Sequence, residues 1–345
     1  MPITVFSVAK SCRGHVQNWH ESLLLASVYC HIVDNDMLKG IKNILGMTNA
    51  GTTDSRTPPP ATPPSGRTGP TDRFGLAKLN PTKAGGIEWY SKFDNGHVRK
   101  LASGIDPDDP WLDLSHGEGK YEINGSGRLT ATGHYVRIYV VSPDHKREWD
   151  ENLEITGVLT RIREFGPAKD SYIQVYCRTN HGIDYDEDKL LNDNRGYGAV
   201  FLYDGTWSFE KETAHHLDNG YAPAHNTDKF PLGNVFPKNT PVPFKYVIRN
   251  NAANTQTTVE LWLGNKDSAD GSPWTMVTSF TDTGNNWGVG HDSCSSGVDP
   301  AIRLTRSLVL PSCISKKPFL SVYLRNEEGT VAYEKLSIRE IDPLP

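Results

Sequence analysis

Between Tyr172 and Arg178 every second residue carries a group able to stack or to hydrogen-bond: Tyr172, Gln174, Tyr176 and Arg178. On an extended chain these four share one side, while Ile173, Val175 and Cys177 share the other and supply a core face. A sugar ring offers apolar C–H faces and equatorial hydroxyls, so aromatic rings edged by amide and guanidinium groups suit it. The alternative use of such rings is ordinary cross-strand pairing. Tyr197, Phe201 and Tyr203 lie opposite Gly198, Val200 and Leu202 in the next alternating run. In residues 206–212, Trp207, Phe209 and Lys211 alternate with Ser208, Glu210 and Glu212. Tyr197, Trp207 and Lys211 therefore join the polar-aromatic row as candidates for ligand contact. His181 stands just past the end of the Tyr172 run, where a groove rim is expected, and an imidazole there can act as a general base near neutral pH. Arg161 and Arg163, with Gln174 and Arg178, place cations and an amide along neighbouring strands, which suits an acidic polymer.

Other chemistries find little support in the residue types. Asp184, Asp186 and Asp188 begin like a calcium loop, but the sixth position is Lys189 and the twelfth is Arg195, which fails the EF-hand pattern. A looser structural calcium ion in that acidic segment is the one metal expectation; no catalytic metal and no other cofactor is expected. His215 and His216 are adjacent, so on an extended chain they point to opposite sides. The five cysteines, Cys12, Cys30, Cys177, Cys294 and Cys313, contain no CxxC pair and so no zinc knuckle. Cys294 and Cys313 read equally as a loop-closing disulfide and as two thiols, and Cys177 reads as a small core residue. No GxSxG, HExxH or P-loop motif occurs, nor the strand-borne pair of carboxylates that retaining glycosidases need.

The elements that must position these residues are strands. The 345 residues include 31 Gly and 23 Pro, set between short Val, Ile, Tyr and Trp runs. Period-2 alternation recurs at 135–141, 153–164, 172–178, 197–203, 206–212, 244–249, 258–263, 319–325 and 332–341. No internal repeat of fixed period is present, which disfavours a propeller or solenoid. The expected fold is all-β: two antiparallel sheets packed as a jelly-roll sandwich over 73–345. Residues 1–50 read as a leader or weakly helical segment. Residues 51–70 hold six prolines and almost nothing apolar, so 51–72 reads as an extended linker. The longest apolar run near the N-terminus, 23–33, is well short of the ~20 residues that cross a bilayer, so no membrane span is expected. With 36 Lys and Arg against 41 Asp and Glu, the net charge of -5 excludes nucleic-acid binding driven by bulk positive charge. The Pro/Thr/Ser stretch, a sequon at Asn124 and the many surface-type aromatics lead to an expectation of a secreted or cell-surface protein. The sequence sets no oligomeric state.

This strand rhythm, the aromatic and cationic face and the closing strand Tyr333–Ile341 resemble the concanavalin A-like jelly rolls. Within them the chain is similar to the polysaccharide lyases of the alginate and glucuronan type and to laminin-G-like carbohydrate-binding modules, over about Gly85 to Ile341. Tyr176 stands where such lyases carry a histidine after Gln-apolar, and Arg161, Arg163, Tyr197 and Lys211 are the candidates for the remaining roles. The resemblance implies a polysaccharide partner, an acidic one, and two functional expectations. One is β-elimination of a uronate polymer, with Arg178 and Gln174 on the carboxylate, His181 as base, Tyr197 as acid and Lys211 in reserve. The other is a non-catalytic carbohydrate-binding or cell-surface interaction module using the same face.

Overall fold

Long alternating runs rich in β-branched and aromatic residues form strands because each apolar half can be buried while the other half faces outward. The computed structural model describes residues 70–168, 171–181, 195–213, 235–287, 302–307 and 319–345. These lie in the unit that spans Thr48–Pro345. The calcium-like segment, His215, His216, Cys294, Cys313, and all but the last few residues of the leader and linker fall outside the described residues.

Fourteen strands, and no helix, are present among the described residues: β1 Glu88–Tyr90, β2 Val98–Leu101, β3 Ile105–Asp106, β4 Asp109–Asp113, β5 Lys120–Asn124, β6 Arg128–Val141, β7 Leu153–Glu164, β8 Tyr172–Thr179, β9 Gly196–Leu202, β10 Trp207–Glu212, β11 Val242–Asn250, β12 Thr257–Leu263, β13 Thr275–Asp282 and β14 Ser321–Glu340. The two runs expected at 319–325 and 332–341 are one 20-residue strand, β14. It pairs with β6 from Ser321 opposite Val141 to Glu334 opposite Arg128. Its first half also pairs with β8 and its second half with β7. The β6–β14 ribbon thus belongs to both layers. The first sheet runs β10-β9-β8-β14-β6-β4; the second runs β13-β12-β11-β7-β14-β6-β5-β2. Every pairing between strands is antiparallel.

The ribbon changes layer at Glu328, whose φ of 55° bends the strand. Next to it, a Cβ on Gly329 would sit 2.5 Å from the Arg163 carbonyl oxygen, so only glycine fits that close approach. Between the layers the rings of Phe201 and Phe244 meet at 5.9 Å and those of Phe209 and Tyr246 at 6.2 Å, joining β9 and β10 to β11. The molecule is therefore the two-layer antiparallel sandwich of jelly-roll type that the period-2 runs predict.

A strap from Pro70 to Lys83 crosses the outer face of the second sheet. Its anchor is Glu154 on β7, fully buried, which accepts the backbone N–H groups of Leu79 (3.2 Å) and Asn80 (2.9 Å). Lys245 at 3.1 Å and Arg339 at 2.5 Å neutralise the same carboxylate. Burial alone raises a carboxyl pKa, but here the two cations prevail and hold Glu154 below the usual range.

Candidate functional site

Strand register turns the outer face of the first sheet into a grid. One row across β10, β9, β8, β14, β6 and β4 reads Glu210, Gly198, Tyr176, Tyr323, Tyr139 and Asp113. The next reads Ser208, Val200, Gln174, Arg325 and Arg137, and the third Leu202, Tyr172, Glu327 and Tyr135. The tyrosines of the first row form a continuous stack: Tyr176 lies nearly parallel to Tyr323 at 5.0 Å, and Tyr323 meets Tyr139 at 5.1 Å. Gly196 and Gly198 make this arrangement, since a Cβ on either would fall within 2.6 Å of the Tyr176 ring. Tyr176 lies flat over β9 because β9 presents no side chain there.

The second row sets two guanidinium groups side by side, Arg325 opposite Arg137. Glu327 resolves that repulsion by accepting from Arg137 at 2.6 Å and from Arg325 as well. Arg325 also lies over the Tyr172 ring at 5.4 Å. Gln174 donates its Nε2 to Glu210 Oε2 at 2.5 Å. At the far edge His181 is held 2.6 Å from Glu212 Oε2, with its ring 5.2 Å from Tyr323. Its place is fixed by its own N–H on Thr179 Oγ1 and by Ser321 Oγ on its carbonyl. At the opposite end the His116 ring packs on Tyr139 at 4.8 Å and its Nε2 stands 3.8 Å from Asp113.

Exposure falls along the grid. Tyr172, Glu210 and Arg325 are half-buried, whereas Tyr176, Tyr323, His181 and Glu212 are buried. Burial pushes the Glu210 carboxyl up to about 7; the Tyr176 hydroxyl opposes that rise, the neighbouring Glu212 charge adds to it, and Arg325 and His181 oppose it. Burial likewise raises Tyr323 well above the usual phenol value, so its hydroxyl keeps its proton.

Tyr172, Gln174, Tyr176 and His181 are thus gathered on one face as the sequence predicts. Arg178 is not. One extra residue in β8 lies between Tyr176 and Thr179 opposite Tyr323 and Ser321, and Arg178 takes a φ of 49°, a bulge that turns its side chain inward. Its guanidinium donates to the Glu151 and Leu304 carbonyls and to Asn250 Oδ1, and stands over the Tyr197 ring. Tyr197 and Lys211 are corrected in the same way: both are fully buried between the sheets, converging on Asp282 at 2.7 Å and 3.0 Å. Trp207 is a core residue against Phe209. Alternation separated the two sides of β9 and β10 correctly, but the aromatic side faces the core and the glycine and glutamate side faces outward.

Arg161 and Arg163 belong to β7 in the second sheet, away from β8, whose neighbours are β9 and β14. Arg161 is buried over the Tyr203 ring and Arg163 lies over Phe165. The cations that do border Gln174 are Arg325 and Arg137. Their signal was in the sequence, as Tyr135-Val-Arg137-Ile-Tyr139 and Tyr323-Leu-Arg325-Asn-Glu327 repeat the alternation of the Tyr172 run. Among the described residues no cluster of three or more His, Cys, Asp or Glu side chains is arranged to hold a metal ion.

No protein-family profile matches the chain, and no curated protein matches it. Among solved structures the chain is similar to lectin II from Ulex europaeus, at 10% identity and a TM-score of 0.37 over 71% of this chain and 98% of that one. It is similar to a Bacillus subtilis protein of unknown function with a galectin-like fold, at 10% identity and a TM-score of 0.38 over 74% and 100%. Alginate lyase Aly36B matches at 11% identity and a TM-score of 0.36 over 75% and 98%. The sandwich itself is established by the strand pairings above.

Proposed function

We propose that the chain binds a polysaccharide along the outer face of the first sheet and cleaves uronate units in it by β-elimination. The observation that carries this reading is the grid: a cation and amide row, Gln174, Arg325 and Arg137, set between two tyrosine-bearing rows. Stacked rings suit the C–H faces of sugars, and the amide and guanidinium suit hydroxyls and carboxylates.

Elimination requires the C6 carboxylate to be neutralised so that the C5 proton becomes acidic. Arg325 and Gln174, direct cross-strand partners, are the groups for that task. His181, held by Glu212 through its Nε2, is the base for the C5 proton. The C5–H electrons form the C4–C5 double bond, the C4–O bond breaks, and the departing oxygen takes a proton from Tyr323. Tyr323 replaces Tyr197 as the acid because it lies on the same face as His181. A secreted or cell-surface location belongs to the same reading, since that is where such polymers are met.

A non-catalytic binding module is the second reading. It is favoured by one observation: the half-buried edge is formed by Tyr172, Arg325 and Glu210, while His181 and Glu212 are buried. The test incubates the full chain with polyglucuronate, alginate and a neutral β-glucan, following ultraviolet absorbance of the unsaturated product and retention on polymer gels. The expected result is product from a uronate polymer that His181→Ala reduces by about 10²-fold or more, with gel retention kept. Retention without product selects the binding module. No retention of any polymer overturns the proposal.

A further inference from the structure

The face as a whole carries a charge problem for an acidic ligand. Among the described residues its carboxylates are Glu210, Glu212, Glu327 and Asp113, against the guanidinium groups of Arg137 and Arg325. With every carboxyl ionised and both histidines neutral, the grid repels a uronate. One of these carboxyls stands beside the place such a ligand would occupy. Glu210 accepts from Gln174 Nε2, and Gln174 is the cross-strand partner of Arg325.

The Gln174 amide adds a second observation. Gln174 is 2% exposed, and its Oε1 has no hydrogen-bond donor among the described residues. An ionised Glu210 can only accept, so it fixes the amide with NH₂ toward itself and the carbonyl oxygen turned away. That orientation offers a ligand an acceptor, which suits a sugar hydroxyl and opposes a carboxylate. A protonated Glu210 can donate, and its O–H then pairs with Oε1 once the amide turns over. The NH₂ group is thereby presented beside Arg325, where a carboxylate is welcome.

We propose that Glu210 and Gln174 form a proton-dependent selector, in which protonated Glu210 turns the amide to admit a uronate carboxylate and ionised Glu210 turns it to admit a neutral hydroxyl. This rests on the polysaccharide reading above. One proton is taken up from solvent per uronate admitted, and no covalent bond changes. Among the described residues, the groups around Glu210 that carry or gain charge are Glu212 on its own strand, Tyr176 on β8, Arg325 on β14 and His181 beyond β8. The outward-facing residues of β9 opposite β10, Gly196, Gly198 and Val200, carry none. Burial places the Glu210 transition at about 7, so the selector works in the neutral range.

The experiment titrates the full chain with an oligoglucuronate and, separately, a neutral gluco-oligosaccharide by calorimetry across the neutral range, in wild type and Glu210→Gln. Wild-type affinity for the oligoglucuronate is expected to fall by about tenfold for each pH unit above the Glu210 transition, the slope of one linked proton. Glu210→Gln is expected to flatten that slope, and the neutral sugar is expected to show no such loss in either protein. A carbon-13 spectrum of the wild-type glutamate carboxyls provides a second readout: one carboxyl should titrate near neutrality and move upward when oligoglucuronate is added. Uronate binding without a slope, or an unchanged slope in Glu210→Gln, overturns the selector while leaving the polysaccharide reading intact. Absence of binding to either sugar overturns both.

Discussion

Asp282 accepts the Tyr197 hydroxyl at 2.7 Å and pairs with Lys211 at 3.0 Å, and its other oxygen accepts the Gly284 N–H. Inside a sandwich, buried charges are tolerated only while their hydrogen-bond partners remain, because an unpaired charge keeps its full desolvation cost. Tyr197→Phe removes the O–H that donates to Asp282 and the oxygen that accepts the Leu304 N–H, while Lys211 still neutralises Asp282. The expected cost is about 1–3 kcal/mol of folding stability, read from urea unfolding. Saccharide binding per folded molecule should be unchanged, since the hydroxyl lies between the sheets. A selective loss of binding or turnover at full stability would instead return Tyr197 to the site. At this scale the sequence was legible where alternation is uninterrupted, as for Tyr172, Gln174 and Tyr176. It was not legible at Arg178, because a bulge has no period-2 signature, nor for Lys211, whose burial depends on a carboxylate 71 residues away in the chain.

β9 shows how an element can act on a site through what it omits. Its outward positions Gly196 and Gly198 leave the space that the Tyr176 ring fills, and that ring in turn stacks on Tyr323. Gly198→Ala would put a methyl 2.6 Å from the ring, inside van der Waals contact, and the ring is packed on its other side as well. The ring must lift from β9, which breaks the stack that leads to Tyr139 and to His181. Overpacking of this kind costs about 1–3 kcal/mol in stability. Weakened saccharide binding should accompany it, and a crystal structure of the variant should show Tyr176 displaced; an undisturbed ring with native affinity would contradict the account. The strands themselves were legible from periodicity, and eight of the nine expected runs fall within or overlap the observed β6 to β12 and the end of β14, as does the ninth with its start. Which strands lie side by side was not, because β14 passes from one layer to the other at Glu328 and so inserts itself between β8 and β7. That insertion is why Arg161 and Arg163 are far from Gln174, and why Arg325 and Arg137 take the positions assigned to them.

For the whole molecule, the strap ties the N-terminal side of the described residues to the buried charge cluster of the second sheet. The sequence leads to an expected boundary at residue 73, from the end of the proline-rich stretch; the Pro70 carbonyl accepts the Lys78 N–H within the strap. Leu76 and Ala77 are buried beneath it, and Leu79 and Asn80 supply two of the donors on Glu154. A chain that starts at Pro70 keeps all of these contacts and should give a β-type circular dichroism spectrum and the melting temperature of the full chain. A chain that starts at Gly86 loses the strap. It exposes the apolar floor formed by Val247 and Trp262 and leaves Glu154 with its cations but without the backbone N–H groups that complete its shell. The expected loss is several kcal/mol, on the order of that for breaking a buried charge cluster. It should also change the acid limb. Glu154 is held below the usual carboxyl range in the folded protein, so its contribution is present above the unfolded-state pKa and disappears as pH falls through the folded one. Melting followed from neutral to acid pH should therefore show a smaller acid-dependent loss for the chain lacking the strap, because part of that stabilisation is already gone. Equal melting temperatures for the two shortened chains would show that the strap is an accessory, and would move the start of the folding unit to β1.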